Sequence, residues 1–129
     1  MNIGHNLTLV AIVDDDQSVQ RSLQDLIESD GLSALCFSSA EEFLDSQARS
    51  QVACLIADIR MSGMSGLELQ AKLKAERCRI PVIFITAHGD AGIRIHAMRQ
   101  GAVEFLSKPF DDAVLLEIVH TALERWGNG

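Results

Sequence analysis

Four short, continuous apolar runs set the strongest limit on how this chain can fold. They are Leu9-Val10-Ala11-Ile12-Val13, Val52-Ala53-Cys54-Leu55-Ile56-Ala57, Pro81-Val82-Ile83-Phe84-Ile85 and Ala102-Val103-Glu104-Phe105-Leu106. None alternates cleanly with polar residues. A β-branched run of this length reads as a strand covered on both faces, and therefore as part of a parallel sheet. Ser33-Ala34-Leu35-Cys36-Phe37 is a weaker fifth strand.

The segments between the runs have helical spacing. Val19, Leu23, Leu26 and Ile27 fall at i, i+4, i+7 and i+8, with Ser18 as the expected N-cap and Gly31 as the stop. Ser39 caps a short helix carrying Phe43 and Leu44. Gly66 to Glu76 carries Leu69 and Leu73. Asp90 caps a helix with Ile95 and Met98, closed by Gly101. Leu115, Ile118, Val119 and Ala122 form the stripe of a last helix that starts at Asp111 or Asp112. The order is βα repeated five times, with no internal linker or repeat. Parallel strands need right-handed crossovers, so the fold class is α/β, a doubly wound five-stranded parallel sheet. A chain of 129 residues makes one such domain, 1–129.

Composition removes several functions. The 47% hydrophobic and 22% charged fractions belong to a globular domain rather than a disordered tail. Eighteen acids against eleven bases give a net charge of −7, which argues against nucleic-acid binding by this domain alone. The apolar runs are far shorter than the roughly 20 residues that cross a bilayer, so no membrane partner is expected. Met1-Asn2-Ile3-Gly4-His5-Asn6 has neither a basic nor an apolar leader segment. Cys36, Cys54 and Cys78 show no pairing pattern, and Cys36 and Cys54 sit in apolar runs. Buried reduced thiols and a cytoplasmic location are expected.

In a doubly wound sheet the site lies at the carboxyl ends of the strands. The first strand here ends in Asp14-Asp15-Asp16, the third in Asp58, the fourth in Thr86 and the fifth near Lys108-Pro109. Taken singly, each has an ordinary explanation: a solvated turn or a helix entry for the acids, a strand end for Thr86 and Lys108. Together on one edge they describe a pocket. Several converging carboxylates repel one another, and a hard divalent cation relieves them. A lysine and a threonine hydroxyl add a cation and a donor. Such a pocket suits a phosphoryl group carried on a carboxylate.

From Leu9 to Arg125 the chain resembles the receiver domain of two-component response regulators. The resemblance rests on Val13-Asp14-Asp15-Asp16, Asp58-Ile59-Arg60-Met61, Gly66-Leu67-Glu68-Leu69, Ile85-Thr86-Ala87-His88-Gly89-Asp90 and Lys108-Pro109-Phe110. Asp15, Asp58, Thr86 and Lys108 are 43, 28 and 22 residues apart in turn, as in that family. Several of these stretches look most like the FixJ-type subgroup. The resemblance implies a CheY-like (flavodoxin-like) sheet of order 2-1-3-4-5. It implies Asp58 as phosphoacceptor, with Asp14, Asp15, Asp58 and the Arg60 backbone carbonyl holding Mg²⁺, or Mn²⁺ in its place. Asp16 is the variable acid after the pair and is not counted as a ligand. Thr86 and Phe105 are the implied switch residues, Phe105 turning inward on activation, and Lys108 the cation that pairs with the phosphoryl group. The Lys108-Pro109 bond is cis in the family. One departure is Ser62, where the family usually has proline.

The resemblance further implies a phosphorylation-activated switch rather than an enzyme with a substrate of its own. A sensor histidine kinase is the implied partner. The face made by the fourth helix, fifth strand and fifth helix is the implied output, controlling dimerisation and transcription. A DNA-binding domain often follows such receivers. Ile95 and Arg99, four apart on the fourth helix, form the expected interface centre. A competing reading takes Asp14-x-Asp16 as the first motif of a haloacid-dehalogenase-like phosphatase, with Asp14 as nucleophile and Asp16 as general acid. It leaves Asp58 without a role.

Overall fold

The computed structural model describes residues 8–87 and 90–126. His88 and Gly89 of the Thr86–Asp90 stretch, the residues read for a leader, and residues 127–129 lie outside the described residues. Five strands, β1 (Leu9–Val13), β2 (Ser33–Phe37), β3 (Val52–Ala57), β4 (Val82–Thr86) and β5 (Glu104–Ser107), alternate with five helices. The helices are α1 (Gln17–Ser29), α2 (Ala40–Asp45), α3 (Gly66–Ala75), α4 (Ala91–Arg99) and α5 (Asp112–Trp126), and a 3-10 helix at Gln47–Gln51 follows α2. Every neighbouring pair is parallel, in the order β2-β1-β3-β4-β5. The expected doubly wound sheet and its strand order are both present.

The sheet is covered on both faces, which explains why its strands read as continuous apolar runs. Val10, Ile12, Cys54, Ile56, Ile83 and Ile85 point to the face where Leu23 and Ile27 of α1 meet Leu115, Val119 and Ala122 of α5. Their neighbours in sequence, Ala11, Val13, Leu55, Ala57 and Phe84, point the other way, to Phe43 of α2, Leu69 and Leu73 of α3 and Ala97 of α4. Residue period two thus feeds two cores at once.

Three local expectations need correction. The N-cap of α1 is Asp16, not Ser18: its side chain accepts from Ser18 N and Val19 N. An aspartate two residues earlier reaches the free N–H groups that the serine would have to leave the helix to serve. β5 starts at Glu104, because Ala102 N closes α4 by donating to Ala97 O. Cys36 is half-buried on edge strand β2, with its thiol against the Gln20 carbonyl, whereas Cys54 is fully buried. Burial pushes the Cys54 thiol up to about 12, where it is inert. The remaining caps, Ser39, Asp90 and the turn glycines Gly31 and Gly101, sit where expected. Of the two candidate acids, Asp111 caps α5, accepting from Ala113 N and Val114 N. Among the described residues no helix is long and apolar enough to cross a membrane.

Candidate functional site

Sheet hydrogen bonds assemble the site. Asp14 N donates to Phe37 O at 3.1 Å and Asp58 N donates to Val13 O at 3.0 Å, so the two acids leave adjacent strands at one edge. Lys108 N donates to Thr86 O at 2.9 Å, which brings the end of β5 to the end of β4. The Lys108 side chain then reaches across the edge. Its Nζ lies 3.2 Å from Asp14 Oδ2 and 3.0 Å from Asp58 Oδ2. Asp14 and Asp58 are buried, Thr86 is fully buried and Asp15 is exposed. The Lys108-Pro109 peptide is cis.

Each carboxylate has a further partner. Asp14 Oδ1 accepts from Asp16 N at 2.9 Å, Asp58 Oδ1 from Arg60 N at 3.1 Å and Asp15 Oδ2 from Ser62 N at 3.1 Å. Burial raises the Asp14 carboxyl above its usual range, and the charge of Asp58 adds to this, against the pull of the Asp16 N–H and of Lys108. Burial also works to lower Lys108. The hydrogen bond to Asp58 and the charge of Asp14 outweigh it and leave the lysine above its ordinary value. Asp16 is held low by the Ser18 hydroxyl and the α1 N–H groups.

The structure therefore brings together Asp14, Asp58 and Lys108 in direct contact, with Asp15 on the adjacent loop and Thr86 on the neighbouring strand end. Among the described residues no three acidic, His or Cys side chains already stand as a metal cluster. Lys108 stands between Asp14 and Asp58. The donor chemistry nonetheless fits a hard divalent cation. Three carboxylates share one edge, and each oxygen that carries one N–H bond keeps a lone pair. Phe105 already points inward, 4% exposed and tilted against Phe84 with ring centroids 6.4 Å apart. Ile95 is exposed, at 51%, and Arg99 is exposed on the same helix.

Sequence reasoning singled out Gly66 and Glu68 but missed how they, with Ser65, Glu41 and Gln20, shape the loops of the site. A Cβ on Gly66 would stand 2.3 Å from Asp58 O, so only glycine lets α3 start against the Asp58 backbone. Ser65 and Glu68 form a reciprocal capping box there, a pattern legible as Ser-x-x-Glu. Glu41 accepts from Met64 N, and Gln20 donates to Asp14 O at 2.6 Å. Neither belongs to a motif, and only the fold brings them near.

A doubly wound α/β domain with an acid-lysine edge at its carboxyl strand ends has known counterparts. The response regulator receiver domain pattern matches residues 10–120. The chain is 47% identical over 117 residues to Nodulation protein W of Bradyrhizobium diazoefficiens, covering 91% of this chain and 52% of that protein. It is 43% identical over 116 residues to the transcriptional regulatory protein FixJ of Azorhizobium caulinodans, covering 90% and 55%. The crystal structure of FixJ-N superposes with a TM-score of 0.82 at 38% identity, covering 97% of each chain. The response regulator StyR superposes at 0.87 with 43% identity, covering 95% of this chain and 62% of that one. The chain spans about half the length of the curated relatives it matches.

The chain belongs to the response regulator receiver domain family of two-component signalling. Within it, the FixJ-like regulators are close relatives in both sequence and structure.

Proposed function

We propose that this domain is a phosphorylation switch that takes a phosphoryl group on Asp58 from a sensor histidine kinase. The observation that carries the reading is the Lys108 ammonium held between Asp14 and Asp58. It supports Asp58 as a buried acid with a cation in direct contact, which a divalent ion at the same edge would supplement. An Asp58 oxygen attacks phosphorus as the bond to the kinase imidazole breaks, giving an acyl phosphate and a free histidine. Lys108 is already within reach of the oxygens that gain charge. Asp14, Asp15, Asp58 and the Arg60 carbonyl are the groups that would hold Mg²⁺ or Mn²⁺. Bound there, the cation would neutralise charge on the transferring group.

Thr86 is fully buried. Its hydroxyl meets a phosphoryl oxygen only if the end of β4 shifts, so the phosphorylated acid favours a second arrangement of that loop. The face of α4, β5 and α5 then changes, and homodimerisation through Ile95 and Arg99 follows. Transcriptional control in the cytoplasm, through a DNA-binding domain elsewhere in the protein, is the output that the FixJ-like relatives support. The domain catalyses only its own phosphoryl transfer and loss. The phosphatase alternative loses its general acid, since Asp16 is committed to capping α1.

The test is acetyl phosphate with Mg²⁺, borohydride trapping and peptide mapping. One label, on Asp58, is expected. A label on Asp14, or turnover of a generic phosphate ester, would favour the phosphatase.

A further inference from the structure

The connection from β3 to α3 is closed at its base and held at its tip. At the base, Gly66 N donates to Ile59 O at 2.8 Å. At the tip, Ser62 N donates to Asp15 Oδ2 at 3.1 Å, and Met64 N donates to Glu41 Oε2 at 2.9 Å. Gly63 lies between these two N–H groups with φ +77°. A Cβ on Gly63 would stand 2.7 Å from Glu41 Oε2. The glycine thus supplies the left-handed turn and also the space that the Glu41 carboxylate fills. Ser62 stands where receivers usually carry a proline ring. Here hydrogen bonds fix the tip instead, and one of them uses an N–H that proline lacks.

The two carboxylates at the tip are not equivalent. Asp15 is itself a proposed cation ligand, so its hold on Ser62 N is shared with the cation. Glu41 belongs to α2, whose seat is independent of the site: Ser39 caps it and Phe43 is fully buried. The second acid of that first turn, Glu42, is committed elsewhere, accepting from Ser38 N at 2.7 Å. Glu41 makes no ion pair among the described residues, and its one recorded partner is the loop.

We propose that Glu41 is a positioning residue of the phosphoacceptor loop. By accepting from Met64 N, it holds the turn that carries Arg60 and sets how tightly the acid edge takes a divalent cation. This rests on the receiver reading above. Groups that orient metal ligands from outside the coordination shell commonly change metal affinity by roughly 10- to 100-fold. Glu41 acts on an exposed loop through a single bond, so a change of about tenfold, the lower end, is expected.

The experiment titrates Mg²⁺ into the metal-free domain by calorimetry, with thermal melts in chelator to check folding. Two variants separate reach from charge. Glu41→Gln keeps the reach and an accepting oxygen but loses the charge. Glu41→Asp keeps the charge but is one methylene short. Glu41→Gln should bind Mg²⁺ within about twofold of the parent, whereas Glu41→Asp should bind roughly tenfold more weakly, like Glu41→Ala. Equal affinity in all four proteins would overturn the assignment. So would a loss in Glu41→Gln that matches Glu41→Ala, which would make Glu41 a distant charge. If the parent takes up neither Mg²⁺ nor a phosphoryl group, the receiver reading fails first. If the parent takes up both and the variants match it, only the role of Glu41 fails.

Discussion

Replacing Lys108 by methionine tests the electrostatic account of the site. The substitution keeps the stem and removes the charge. Lys108 Nζ lies 3.2 Å from Asp14 Oδ2 and 3.0 Å from Asp58 Oδ2, so those oxygens are at most about 6 Å apart. With the ammonium gone, two buried carboxylates face each other with a repulsion of about 3 kcal/mol at an effective dielectric of ~20. The lysine side chain is 21% exposed, which softens the loss. A deficit of about 2 to 3 kcal/mol at pH 7 is expected in urea denaturation without Mg²⁺.

The pH dependence gives that deficit a signature. The Asp14 carboxyl titrates above its ordinary 3.8 in the folded protein, so the folded state binds its proton more tightly than the unfolded state. Stability from this group therefore rises as pH falls through the window between the two values. In Lys108→Met the folded value moves further up. The deficit is full above that window and vanishes below 3.8, where the acid is protonated in both states. Lys108 itself titrates above 10.5, so its contribution in the parent is complete from the top of the Asp14 window up to 10.5 and is lost again as pH rises through the raised lysine value. Saturating Mg²⁺ should narrow the gap by binding the folded acids. A deficit unchanged between pH 4 and pH 7, or Mg²⁺ stabilising both proteins equally, would refute the reasoning.

Asp15→Asn should leave the metal-free fold intact, because Asp15 is exposed and its single recorded bond, from Ser62 N, can pass to an amide oxygen. Its melting temperature should rise less with Mg²⁺ than that of the parent. Gly66→Ala should lose roughly 2 to 3 kcal/mol in chemical denaturation, because the new methyl meets the Asp58 carbonyl at 2.3 Å. Beryllofluoride should convert the parent to a dimer in light scattering. Ile95→Asp with Arg99→Glu should stay monomeric, and an unaffected dimer would move the interface elsewhere.

The strands and their parallel direction were legible because both faces of the sheet are buried, which leaves runs such as Val52–Ala57 without polar interruption, whereas their order followed only from the family resemblance. Strand-end acids were legible because a β-strand fixes where its last residue points. Asp58 needs only the end of β3 and the ladder bond from its N–H to Val13 O. The α1 cap was misread because Asp16 and Ser18 are both good caps, and only backbone geometry decides between them. Glu41 and Gln20 were invisible for a different reason. Their partners, Met64 and Asp14, are backbone atoms of other loops, and a backbone atom leaves no residue type to read.

The reach of Lys108 has a consequence for the order in which the domain comes into being. Its bonds to Asp14 and Asp58 span 94 and 50 residues of chain. Contacts that distant close late, because each needs a long loop to be ordered first. A nascent chain that has emerged only through β4 already holds Asp14, Asp15, Asp58 and Thr86 but lacks their cation. The acid edge is then at its most repulsive, and it is relieved in part only when β5 joins the sheet beside β4 through the Lys108 N to Thr86 O bond. The last strand therefore completes the site: a chain that has not finished its sheet has no ammonium between Asp14 and Asp58.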